Sequence, residues 1–414
     1  MANDEKVSKL RCLEANFEQS RFKNDYQETP TTREQKEVES SVSSMYASFC
    51  NKLDIYPDIP LLERNNHREF LLKGLKTLSQ SYQCLDASRP WLCYWIVHSL
   101  DLLEYHVSEE HALQIADFLG RCQHPKGGFG GGPGQVPHLA PTYAAVNTLA
   151  ILATVTEDVF KVLNRSGLYQ FLMLMRDEEG AFRMHEGGEV DIRGAYCAAS
   201  SARLTNMCTK ELFSGTAEWI RRCQTYEGGF AGFPGQEAHG GYSFCGLAAL
   251  VILNQPQLCD IPRLLRWTAM RQMKYEGGFQ GRTNKLVDGC YSFWQGAAFP
   301  VIHMVLCQED DLALSASGWM FSQEALQEYV LICCQHPLGG LLDKPGKPRD
   351  HYHTCYCLSG LSVAQHFTGG VLAHTCVIGS PNNLLRPVHP VFNLSVDAVL
   401  QTSRHFQMEG APTL

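Results

Sequence analysis

The chain has 414 residues, is 44% hydrophobic and 19% charged, and carries a net charge of −8 at neutral pH. That balance excludes a global attraction for nucleic acid or an anionic membrane, so any anion site must be a local basic cluster. Single cores usually stop growing near roughly 250–300 residues, so two domains are expected unless one repeated unit builds a larger whole.

The first stretch, Met1–Arg21, alternates charge and polarity without an apolar core. It resembles neither a secretory signal nor an Arg-rich transit peptide. No apolar run approaches the ~20 residues that span a bilayer, so stable membrane insertion is not expected. The 17 cysteines, an odd number, fit free thiols in a reducing cytoplasm better than complete pairing. Residues 1–60 read as a polar N-terminal segment, partly extended and partly helical on the surface.

From residue 61 to 369 the chain repeats itself. A first, degenerate unit covers Ser81–Leu103 around Pro90-Trp91-Leu92-Cys93-Tyr94-Trp95. Glycine turns then recur at Lys126–Phe129, Glu179–Phe182, Glu227–Phe230, Glu276–Phe279 and Leu338–Leu341, spaced 53, 48, 49 and 62 residues apart. A Cys-Gln or similar pair precedes most turns. About a dozen residues beyond each comes a Tyr/Cys-rich helix start, at Tyr143, Tyr196, Tyr242, Tyr291 and Tyr356. The helix after each loop, such as Tyr242–Leu253, is apolar nearly all round and should be buried; the one before the turn, such as Glu218–Gln224, is amphipathic. Such pairs form either an open solenoid or a closed ring. Small residues on the apolar helices favour an all-α closed barrel of six pairs, (α/α)6. Residues 370–414, rich in Pro and Asn, read as a strap packed on the barrel that ends in a short helix near Val396–Phe406.

The apolar helix starts should crowd one mouth of the barrel, and unusual polar residues gather there. Asp288 and Cys290 offer a carboxylate and a thiol two residues apart, and His353 lies at nearly the same phase of the next unit. Three such donors suit a catalytic zinc with its fourth position open. By spacing alone Asp288 could equally be a helix cap, Cys290 a core residue and His353 a hydrogen-bonded helix residue. Cys355 and Cys357, two apart on a helix, diverge and read as core. Arg282 and Lys285 form a local basic pair beside a helix start, a natural anion site, although two basic residues also suit a solvated loop.

The segments Lys285-Leu286-Val287-Asp288-Gly289-Cys290-Tyr291-Ser292-Phe293-Trp294-Gln295 and Tyr352-His353-Thr354-Cys355-Tyr356-Cys357-Leu358-Ser359-Gly360-Leu361-Ser362, with the Gly-Gly-Phe turns, resemble the protein prenyltransferase β-subunit family from about residue 35 to the strap. The resemblance implies a barrel paired with a helical α subunit and inactive without it. It implies transfer of farnesyl from farnesyl diphosphate to the cysteine of a C-terminal CaaX motif on proteins such as small GTPases. It implies zinc ligation by Asp288, Cys290 and His353. His239, Arg282, Lys285 and Tyr291 match the diphosphate-binding positions. Arg193, Tyr196, Tyr242, Cys245, Trp294 and Trp91 match the isoprenoid wall. Trp95, Tyr352, Tyr82 and Ser88 match positions near the peptide, and Asp343 an acidic position that assists magnesium. An aromatic residue at both Trp91 and Tyr352 argues for the fifteen-carbon donor over geranylgeranyl. The family pattern softens at Ala181 and Leu341, which bear on turn geometry.

Other readings fit less well. A terpene cyclase would need an acidic motif at the barrel, whereas Glu309-Asp310-Asp311 falls in a connection. A glycosidase would need two opposed carboxylates. A helical-repeat scaffold explains the repeats but not the convergence of Asp288, Cys290 and His353.

Overall fold

The computed structural model describes residues 10–23, 27–53, 55, 59–308, 319–369, 372–410 and 412. The acidic run Glu309-Asp310-Asp311 lies outside the described residues. In chain order the helices are α1 (Pro30–Leu53), α2 (Arg64–Lys76), α3 (Arg89–Leu102), α4 (Glu109–Cys122) and α5 (Leu139–Leu152). There follow α6 (Arg165–Met175), α7 (Ile192–Leu204), α8 (Thr216–Arg222), α9 (Gly240–Ile252) and α10 (Ile261–Ala269). The last are α11 (Tyr291–Trp294), α12 (Ala298–Gln308), α13 (Gln323–Glu328), α14 (His351–Gln365) and α15 (Val396–Gln407). Three two-stranded antiparallel ladders pair β1 (Leu341–Leu342) with β2 (Arg349–Asp350), β3 (His366–Gly369) with β4 (Leu372–Thr375), and β5 (Val388–His389) with β6 (Leu394–Ser395). No described helix is long and apolar enough to cross a membrane. None of the 17 cysteines is in a disulfide.

The chain divides into two compact units, residues 1–70 with 268–385, and residues 71–267 with 386–414. In the second unit α3, α5, α7 and α9 pack in succession. Their apolar composition dictates this. In α5 every residue from Leu139 to Leu152 except Ala140 is buried. By contrast α4 buries Ala112, Ala116, Leu119 and Cys122, a three-to-four-residue stripe that leaves its other face to water.

A short antiparallel bridge closes each glycine turn: Gln123–Phe129, Arg176–Phe182, Gln224–Phe230, Gln272–Phe279 and Gln335–Leu341. The apolar partner is fully buried in all five, each worth about 1.5–3 kcal/mol of transfer energy. Gly228 shows why the turn needs glycine. Its φ is +110°, and a Cβ there would lie 2.3 Å from the Arg263 carbonyl oxygen. Leu341 fills the Phe position and Ala181 the second Gly position, both fully buried.

The first unit departs from the regular repeat. A continuous apolar helix is expected from Tyr291, yet α11 ends after one turn at Trp294. The Gly296 amide bonds back to the Tyr291 carbonyl at 3.3 Å, a wide i to i+5 turn, before α12 resumes. Glycine permits this, since a Cβ at Gly296 would lie 2.1 Å from the Ser292 oxygen. Upstream, the polar N-terminal region forms the 24-residue α1, which buries Gln35, Glu39, Val42, Tyr46 and Phe49 at alternating spacings of four and three.

Candidate functional site

The helix starts share one structural position, occupied by His138, Asp191, His239, Asp288 and Asp350, with the same spacing as the glycine turns. At each, the side chain accepts a backbone amide just ahead: from Ala140, Arg193, Gly241, Cys290 and His353 respectively. Asp288 Oδ1 takes the Cys290 amide at 2.8 Å, although the N-cap residue of α11 is Cys290 itself. This bond does not exhaust the carboxylate.

Asp288, Cys290 and His353 each direct one donor atom to a common point, all within 4.8 Å of one another. His353 Nε2 lies 3.2 Å from Asp288 Oδ1, without the alignment of a hydrogen bond, so this buried nitrogen has no hydrogen-bond partner. Its other nitrogen, Nδ1, is 2.8 Å from Asp350 Oδ2. The donor set fits zinc: one carboxylate oxygen, one thiol and one imidazole nitrogen whose lone pair is aimed inward. Burial pulls the His353 pKa down, but contacts with Asp288 and Asp350 outweigh it and lift it to about 10. Burial works to raise the Asp288 pKa, yet its contacts with His353 and Cys290 leave it lowered. Burial, then the Asp288 charge, push the Cys290 thiol well up. The Asp288 carboxylate and the His353 imidazole thus favour opposite charges beside a thiol that stays protonated.

Gly289 explains the spacing of this motif. A Cβ there would lie 2.6 Å from Cys357 Sγ and 2.9 Å from the Leu342 carbonyl oxygen. Glycine lets the Asp288–Cys290 turn rest directly on α14. Cys355 and Cys357 are fully buried and serve this packing, as expected of core residues. The Gly289 amide also donates to the Asp343 carbonyl at 2.8 Å.

Around this centre stand other sequence-selected residues. Trp294 Nε1 donates to the Tyr352 hydroxyl at 3.0 Å, and the Trp294 ring stacks on Tyr356 at 4.5 Å. Asp343 pairs with the buried Lys344. Arg282 and Lys285 close a tight turn, the Lys285 amide donating to the Arg282 carbonyl at 3.3 Å and Asn284 holding φ +63°. Arg271 pins that turn through Thr283 Oγ1 at 2.6 Å. The Tyr291 ring lies over Gly281, where a Cβ would come within 2.3 Å of it. Burial pushes the Tyr291 pKa up, so its phenol stays a donor.

In the second unit, His239 Nδ1 accepts the Gly241 amide at 3.1 Å. A neutral His239 then carries its proton on Nε2. Its ring lies 5.1 Å from Tyr242. Trp91 stacks on Trp95 and meets Tyr143, both at 5.6 Å, and Tyr143 meets Tyr196 at 5.3 Å. Cys245 is buried. Arg193 is half-exposed and held by its own cap, Nε to Asp191 Oδ1 at 2.9 Å. Tyr82 and Ser88 lie half-buried on the 3-10 segment Gln80–Ser88. The sequence pattern assigned no site role to Asp350, Tyr94 or Tyr143. The cap periodicity was the signal for Asp350.

The profile of the prenyltransferase alpha-alpha toroid domain matches residues 62–394. The chain is 41% identical to protein farnesyltransferase subunit beta of Arabidopsis thaliana, covering 89% of this chain and 88% of that protein. It is 44% identical to the Pisum sativum protein of the same name, over 77% of this chain and 89% of that one. A solved structure, Candida albicans protein geranylgeranyltransferase-I complexed with GGPP, shares the fold with a TM-score of 0.66, at 21% identity over 83% of this chain and 99% of that one. The fold class expected from the repeats, an all-α toroid of paired helices, is the one these matches carry. The chain belongs to the protein farnesyltransferase β-subunit family, and is the β subunit of a prenyl transferase.

Proposed function

We propose that this chain, paired with an α subunit in the cytoplasm, transfers farnesyl from farnesyl diphosphate to the cysteine of C-terminal CaaX motifs, on proteins such as small GTPases. The observation that carries this is the partly buried donor set of Asp288, Cys290 and His353 within 4.8 Å, its imidazole turned by Asp350. Asp288, Cys290 and His353 would hold a zinc ion, which would keep an incoming substrate cysteine as thiolate at neutral pH, where a free thiol of pKa about 8.5 is mostly protonated.

The remaining residues position and stabilise. Asp288, Cys290 and His353 fix where the sulfur sits. Arg282 and Lys285, with the Nε2 proton of His239 and the phenol of Tyr291, stabilise the negative charge that grows on the departing diphosphate. Arg193, Tyr196, Tyr242, Cys245, Trp294 and Trp91 line the isoprenoid chain. Trp95, Tyr352, Tyr82 and Ser88 face the peptide, and Asp343 assists magnesium. Trp91 and Tyr352, both aromatic, favour the fifteen-carbon donor. A lysine of the α subunit completes the diphosphate pocket.

Co-expression with a farnesyltransferase α subunit tests this. The purified complex should contain one zinc, lose it in Cys290→Ala, and farnesylate peptides ending Cys-a-a-Ser. A folded, zinc-free complex, or a preference for geranylgeranyl diphosphate, would overturn it.

A further inference from the structure

The strap carries a buried device that the reaction so far leaves unused. Between β5 and β6 the chain turns through Val391, Phe392 and Asn393, all buried. Three backbone carbonyls at this tip accept the hydroxyls of three tyrosines on three successive helices. Tyr94 of α3 donates to Asn393 at 2.7 Å. Tyr143 of α5 donates to Phe392 at 3.2 Å. Tyr196 of α7 donates to Val391 at 2.8 Å. The tip is held in turn. Asn393 Oδ1 meets His98 Nε2 at 3.0 Å, and Asn147 Nδ2 donates to the Phe392 carbonyl at 3.2 Å. Asn393 sits at φ +52°, a left-handed conformation that asparagine tolerates better than most non-glycine residues.

Two of the rings so fixed, Tyr143 and Tyr94, meet Trp91, and Tyr196 meets Tyr143. The Trp91 indole lies 5.6 Å from Tyr143 and 6.0 Å from Tyr94. Tyr94 itself has no exposed surface and touches the wall through Trp91 and Tyr143. A hydroxyl bonded to a carbonyl on a separate segment fixes how far each ring stands from its helix axis. Loss of that bond lets the ring swing by its own χ angles.

We infer that the hairpin tip Val391–Asn393 and Tyr94 are positioning residues for donor length. They hold the Trp91–Tyr143–Tyr196 wall rigid and so stop an isoprenoid longer than fifteen carbons. This rests on the proposed reading of Trp91 and Tyr196 as isoprenoid wall. It adds that the wall's position is set from outside the repeat, by backbone atoms of the strap.

The test uses the αβ complex, with kcat/KM measured for farnesyl and geranylgeranyl diphosphate on one peptide. Tyr94→Phe keeps the ring and removes the hydroxyl's bond to the Asn393 carbonyl. The ratio of geranylgeranyl to farnesyl kcat/KM should rise about five-fold, the equivalent of about 1 kcal/mol, with the KM for peptide unmoved. Asn393→Gly keeps the turn's backbone and releases His98, and should raise the ratio in the same direction. Should Tyr94→Phe fail to fold, Asn393→Gly decides alone. A stable variant with lowered thermal midpoint and an unchanged donor ratio would show the hairpin to be structural only and overturn the inference. Trp91→Ala separates the two levels. If it too leaves the ratio unchanged, the isoprenoid reading fails; if it shifts the ratio while Tyr94→Phe and Asn393→Gly do not, only the role of the hairpin fails.

Discussion

Asp350 Oδ2 lies 2.8 Å from His353 Nδ1, while Asp350 Oδ1 accepts the backbone amide of the same residue at 2.6 Å. One carboxylate therefore caps α14 and fixes the tautomer of the proposed zinc ligand. With the proton held on Nδ1, the Nε2 lone pair points toward Asp288 and Cys290. Asp350→Asn keeps an oxygen for the cap and removes the charge behind the imidazole. Zinc affinity, measured by competition with a chelator, should fall about 10- to 100-fold, with little loss of helix stability. An unchanged affinity would leave Asp350 as a cap only.

Glu276 supplies a pH dependence of known sign. It is buried, and Gln35 Nε2 donates to its carboxylate at 2.7 Å. Burial pushes its pKa up to about 7, with the charge of Glu39 adding and Gln35 and Arg11 opposing. An acid raised in the folded state binds more protons there than in the unfolded chain between about 4.5 and 7. Stability from this group is therefore greatest in acid and is lost as pH rises through 7. Glu276→Gln should remove a pH penalty on the order of 2–3 kcal/mol, read as a smaller shift of the denaturant midpoint between pH 5 and pH 8. Glu328, also buried and raised to about 7, keeps part of the slope in the variant.

Gly281 makes room for Tyr291. An added Cβ would lie 2.3 Å from the ring carbon that bears the hydroxyl and 2.4 Å from the hydroxyl oxygen itself. Gly281→Ala should displace that phenol at a cost of about 1–3 kcal/mol. The αβ complex should then show weaker farnesyl diphosphate binding, measured by titration, with zinc content retained. Binding as tight as in the unaltered complex would remove Tyr291 from the diphosphate site.

The apolar helices were legible because burial on every face writes itself into the residues: Leu139–Leu152 holds no charge, and the turns repeat Gly-Gly-Phe. Asp288, Cys290 and His353 were legible as unusual polar residues at helix starts, and the family resemblance turned a weak spacing into a ligand set. Asp350 was harder. A carboxylate at a helix start reads as a cap, and here it is one, so its second task leaves no separate trace. The break after Trp294 was hidden because Gly296 lies in a largely apolar run, Phe293–Val301, with Gln295 as its one polar residue. The hairpin contacts were invisible for another reason. Tyr94, Tyr143 and Tyr196 bond to backbone carbonyls of Val391, Phe392 and Asn393, and a carbonyl is the same in every residue.

Asp343 is the residue proposed to assist magnesium. Its backbone carbonyl is committed to the Gly289 amide and the Tyr329 hydroxyl, each at 2.8 Å. Its side chain pairs instead with Lys344. Burial and then the nearby Asp288 charge push its pKa up, with Lys344 opposing. A divalent cation at Asp343 must therefore compete with the Lys344 ammonium, which predicts weak binding relative to zinc. Asp343→Lys exchanges only the side chain, so the backbone contacts that seat Gly289 should persist and zinc content should not change. Magnesium stimulation of the αβ complex should largely disappear in this variant, while activity without magnesium stays near that of the unaltered complex. The check is a magnesium titration of the single-turnover rate. A stimulation curve that does not move on substitution would mean that the cation binds elsewhere and that Asp343 serves only its pairing with Lys344.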